Sequence, residues 1–171
     1  MKHIFKLLFL FLLFSDGVFA KEVSVRLVLD TLKPIVVSEP SGDEVYFKVM
    51  EYSNSGAFAE SRVPNSVECW CSKDLDTLRD VVLWRGTLKD KESVKLILSL
   101  VEQDLAPMDA DDVFGNVELM LANNKGVLKK EWGVPVLDET QEAEMLEPGD
   151  PQHFMFKGSG AKYEAAFSVK Q

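Results

Sequence analysis

The chain has 171 residues, 19 Lys+Arg against 28 Asp+Glu, a formal net charge of −9, two histidines and two cysteines. So acidic a balance argues against nucleic acid as a partner, because backbone phosphates are met by clustered Lys and Arg. The length accommodates one domain with a sizeable core and leaves no room for a second full one.

The first element in chain order is a targeting segment. Lys2 and Lys6 precede the apolar run from Leu7 to Phe14, and a polar stretch from Ser15 leads to Val18-Phe19-Ala20. That run is far shorter than the roughly 20 residues needed to span a bilayer, and the layout is that of a secretory signal cleaved after Ala20. Residues 1–20 are therefore expected to be a signal peptide. Residues 21–171 are expected to be a single exported domain, periplasmic or secreted. This mature chain of 151 residues carries 17 Lys+Arg against 27 Asp+Glu, a net charge of −10.

Beyond the signal, period-two alternation dominates. Val23, Val25, Leu27 and Leu29 share one face of an opening strand, and Val45, Phe47 and Val49 do so in the next. Cys69 and Cys71 flank Trp70. In an extended strand their Cα atoms would stand about 6.6 Å apart, near the upper limit for a bridge. A tight Cys69–Cys71 disulfide and two free or inter-chain thiols both fit, and with a single mature histidine a structural zinc site is not expected. Ser72 to Asp80 is predicted as a short helix behind a Ser cap. Val81-Val82-Leu83-Trp84 reads as a core strand entering a turn at Arg85-Gly86.

Val94 to Val101 is nearly continuous apolar, as in a strand covered on both sides. Val117, Leu119 and Leu121 alternate with polar neighbours, as do Tyr163, Ala165, Phe167 and Val169. Turn-forming clusters at 41–43, 54–56, 89–91, 123–126 and 158–160 separate these runs. The acidic, proline-interrupted stretch 138–152 reads as a mobile connection. Seven or eight half-buried strands without a long helical period predict an all-β fold, an antiparallel two-sheet β-sandwich.

One segment is rich in potential ligands. A hydrophobic strand delivers Glu102 and Asp104 to its exit, and Asp109, Asp111 and Asp112 follow before Gly115. Five crowded carboxylates repel one another unless they point into water or share a cation, and oxygen ligands of this type suit calcium. The spacing is not that of an EF-hand.

The run from Glu102-Gln103-Asp104 to Asp112-Val113-Phe114-Gly115, followed by an alternating strand, resembles the third calcium loop of the C-two domain, the conserved region 2 sandwich of protein kinase C. Glu44-Val45-Tyr46-Phe47-Lys48-Val49 is similar to that family's Asp-Pro-Tyr-Val-Lys-Val strand entry, and Trp132 stands where the family often has an aromatic residue. The resemblance covers roughly Lys21 to Trp132. It implies an eight-stranded antiparallel sandwich and a calcium site drawn from Glu44, Glu102, Asp104, Asp109, Asp111 and Asp112. The sequence departs from the family in having Glu at 44 and 102 where calcium-binding members use Asp, and in a longer spacing from Asp104 to Asp112. Basic lipid-facing loops are not evident.

Catalytic signatures are sparse. His153, the only mature imidazole, lies beside proline-rich coil with no nucleophile elbow or Cys–His pairing in the chain, and it reads as a surface residue. Trp70, Trp84, Trp132, Phe154 and Phe156 read as core. These features predict a non-catalytic exported binding module that engages a protein partner at the cell envelope and requires no cofactor. A calcium-dependent membrane-surface module and a secreted carboxylate-based hydrolase are the alternatives.

Overall fold

The computed structural model describes residues 21–104, 110–135 and 142–171. The expected signal peptide, and within the other segments Asp109 and residues 138–141, lie outside them. Eleven strands and one 3-10 helix follow in order: β1 (Val23–Val36), β2 (Glu44–Ser53), β3 (Phe58–Val63), β4 (Trp70–Cys71), the helix (Ser72–Thr77), β5 (Val81–Leu88), β6 (Ser93–Glu102), β7 (Asp112–Asn124), β8 (Val127–Gly133), β9 (Glu142–Met145), β10 (Gln152–Gly158) and β11 (Ala161–Lys170). They form two antiparallel sheets packed as a sandwich. One has the order β5-β1-β11-β10-β9 and the other β3-β2-β6-β7-β8, with β4 beside β2.

The apolar faces read from sequence are buried. Val23, Val25, Leu27 and Leu29 are buried between the sheets, as are Val45, Phe47 and Val49 of β2 and Leu96, Leu98 and Leu100 of β6. Phe154, Phe156, Tyr163 and Phe167 close the core from the other sheet. Phe47 meets Phe156 and Phe167 edge-on at ring-centroid distances of 5.9 and 5.6 Å, arrangements that add to burial itself. Trp84 is buried, while Trp70 and Trp132 are partly buried against the same cluster.

Four local expectations change. The helix is a six-residue 3-10 turn whose N-cap is Cys71 without a side-chain cap bond, because Ser72 lies inside it and its hydroxyl accepts from the Asp43 N–H at 3.0 Å. β5 runs through Arg85 and Gly86 to Leu88, since both residues pair with β1. β6 is covered on both faces only in its second half, with Lys95 and Ile97 half-exposed on the outer face. Within the acidic stretch, Glu142–Met145 is an edge strand paired with β10, where Lys157 reaches Glu144 at 2.7 Å.

Candidate functional site

Strand parity builds the most unusual constellation. Asp43 is in phase with the core series of β2, and Glu102 is in phase with Val94, Leu96, Leu98 and Leu100 of β6. Both carboxyl groups therefore enter the space between the sheets at one end of the sandwich, where Asp43 is 0% and Glu102 5% exposed. The β1–β2 loop folds over them. Asp43 Oδ1 accepts the Ser38 and Glu39 N–H groups at 2.9 and 3.0 Å, and Oδ2 accepts the Tyr163 phenol. The Ser38 hydroxyl oxygen lies 2.9 Å from Asp43 Oδ1 and 3.1 Å from each oxygen of Glu102.

Counting hydrogens assigns the proton. Ser38 has one hydroxyl hydrogen for two carboxyl groups. Asp43 already draws two backbone donors and a phenol, a set that matches an acceptor-only carboxylate. Glu102 has no donor besides Ser38 among the described residues. If Glu102 keeps its own proton and gives it to Ser38 Oγ, the serine hydrogen is free for Asp43 and no lone pairs confront each other. Burial first, then the Asp43 charge, accordingly pushes the Glu102 carboxyl up to about 7 against the opposing Ser38 bond, with Asp104 and Glu39 adding to the rise. Burial, then the Asp43 bond, also pushes the Tyr163 phenol well up.

The carboxylates singled out in the sequence are divided by the sheet. Glu44 is exposed, one residue out of phase with Asp43. Its backbone oxygen accepts the Gln103 N–H at 2.7 Å, and its carboxylate neighbours Cys69. Asp111 is exposed and accepts the Tyr46 hydroxyl at 2.7 Å and the Asp104 N–H at 3.2 Å. This bond and burial, which ranks first, push the Tyr46 phenol up to about 12. Asp112 is exposed where β7 begins opposite Glu102, and Asp104 is half-buried. Asp109 lies outside the described residues. Among the described residues no three metal-capable side chains converge.

Cys69 and Cys71 are both free and half-buried. Burial and then Glu44 push the Cys69 thiol up, away from the thiolate. His153 is a half-exposed residue whose Nδ1 lies 2.9 Å from Glu164.

Above the buried pair lies a surface that sequence reasoning missed. Ile35, Val36 and Val37, the last residues before Ser38, are 51, 48 and 42% exposed. Beside them is a depression of about 470 Å³ lined by Val36, Glu142, Lys157, Lys162 and the Gly158–Ala161 turn. Lys157 is paired with Glu144, whereas Lys162 forms no ion pair among the described residues. In sequence, Lys33-Pro34-Ile35-Val36-Val37 looks like an ordinary strand end; only the tertiary structure leaves it uncovered.

No protein-family model matches the chain, and no curated protein matches it either. The two-sheet antiparallel sandwich is compatible with the C-two resemblance at the level of architecture.

Proposed function

We propose that this chain is an exported, non-catalytic binding module of C-two-like architecture that holds a protein partner against the Ile35–Val37 surface. The carrying observation is that three consecutive β-branched apolar side chains stand in solvent beside a depression, where β1 ends just before Ser38 and Glu39, whose N–H groups Asp43 holds. Contiguous exposed apolar surface of this kind marks recognition sites. The partner segment that fits is extended, with an apolar side chain for the depression and an acidic group for Lys162. Export is the reading of residues 1–20, and the absence of a paired nucleophile and base in the sequence supports a binding role.

The experiment places a photo-crosslinking residue at Val36 or at Val127, which is 64% exposed at the opposite end of the sandwich, in cells of the source organism. A single adduct of defined mass from position 36, absent from position 127 and lost on adding Lys162→Glu, is the expected result. Equal labelling at both positions, or none at 36, disproves the reading.

A further inference from the structure

A second candidate lies on the outer face of the same five-stranded sheet, where β1 pairs with β5. Arg26 of β1 stands directly opposite Arg85 of β5, and two residues along on the same face Ser24 stands opposite Thr87, their hydroxyl oxygens 3.4 Å apart. Like charges directly opposed across two strands destabilise the pairing. In a chain of net charge −9, a carboxylate would be the ordinary neighbour of such a pair. Neither guanidinium has one: among the described residues no carboxylate comes within ion-pair distance of Arg26 or Arg85. A further cation, Lys170 opposite Arg26, is already held by Asp80 at 2.6 Å and Asp30 at 3.5 Å. Ser24, Arg26, Arg85, Thr87 and Gln171 are among the residues that line a shallow depression of about 430 Å³.

We infer that this depression binds a doubly charged tetrahedral oxyanion, a phosphate monoester or inorganic phosphate, clasped between the two guanidiniums with the hydroxyls of Ser24 and Thr87 as further donors. Two fixed positive charges balance a dianion, and a guanidinium presents paired N–H groups to two oxygens of one phosphate. The two hydroxyls supply donors on the side of the anion away from the guanidiniums. A monocarboxylate would leave one charge and most of the donors unused.

Isothermal titration of the purified protein at constant ionic strength tests this, with inorganic phosphate and glycerol phosphate as probes, acetate as the monoanion and phosphatidic acid vesicles as the lipid source. Saturable one-to-one binding of both soluble phosphates is expected, with acetate at least about tenfold weaker. Arg26→Gln or Arg85→Gln should weaken phosphate binding about tenfold or more, the loss of one charge-assisted pair. Lys129→Gln, on the other sheet, should leave it unchanged, and far-ultraviolet circular dichroism should be the same for all variants. Absence of saturable phosphate binding, equal binding by the double arginine variant, acetate binding as tight as phosphate, or binding to vesicles alone would each overturn the inference.

Discussion

At the scale of single residues, the buried pair Asp43–Glu102 is where chemistry and stability meet. Glu102 has a folded value of about 7 against an ordinary 4.5. Between those values the native protein holds a proton that the unfolded chain has released. Stability is therefore complete below pH 4.5, falls as pH rises through the window, and levels off above pH 7. The shift corresponds to up to about 3 kcal/mol at alkaline pH. Glu102→Gln keeps the shape and removes the titration. Its urea midpoint should match the native protein near pH 4.5 and exceed it at pH 8.5. A parallel pH dependence in the two proteins would show that Glu102 is not the group holding the proton. In the sequence Asp43 reads as part of a turn and Glu102 as a candidate calcium ligand, and the structure turns both inward in phase with the core residues of β2 and β6. What parity could not supply was Ser38 and Tyr163, which reach them from other elements 5 and 120 residues from Asp43.

At the scale of elements, alternation located four of the five longest strands, a continuous apolar run located β6, and the turn clusters marked their ends, because a half-buried strand must show a period of two and a tight reversal needs residues that tolerate it. The short elements were harder. β3 exposes most of its side chains, so it has no apolar face to announce it, and β9 is a four-residue strand in which two glutamates alternate with Ala143 and Met145 and Glu144 pairs with Lys157. The turn expected at Arg85-Gly86 is a strand for a different reason. Gly86 is there to make room: a Cβ on it would stand 2.3 Å from the Trp84 ring, and that ring is fixed by its indole N–H donating to Glu51 at 2.8 Å. Gly86→Ala should therefore cost about 2 kcal/mol, an overpacking effect, read as a lower urea midpoint with altered tryptophan fluorescence. A change below about 0.5 kcal/mol would mean that the ring moves aside freely.

At the scale of the whole molecule, charge and topology divide the surface. The acidic loop after β6 gathers carboxylates in sequence, yet the sheet sends Glu102 inward and leaves Glu44 and Asp111 outside. A protonated Glu102 is a poor cation ligand. Thermal melts at pH 6 with excess calcium and with chelator should consequently agree within about 1 °C, since a ligand raises the midpoint only by binding the native state. A calcium-dependent rise at pH 6 that is lost in Asp104→Asn would show that the loop assembles a cation site in spite of this division.

The sequence by itself determined the fold class, because the apolar side chains of each long strand recur at the one period that buries a single face of a sheet. It also determined the acidic net charge and, in the long strands, which apolar residues share a face; the inward turn of Asp43 and Glu102 it did not. Which side chains meet was decided only by the tertiary structure. The order β5-β1-β11 sets Arg26 against Arg85, and the loop between β1 and β2 brings Ser38 over Glu102. The packing of the two sheets leaves Ile35–Val37 uncovered. Such contacts depend on strand order and register, which a period of two specifies for each strand alone and not for its neighbours.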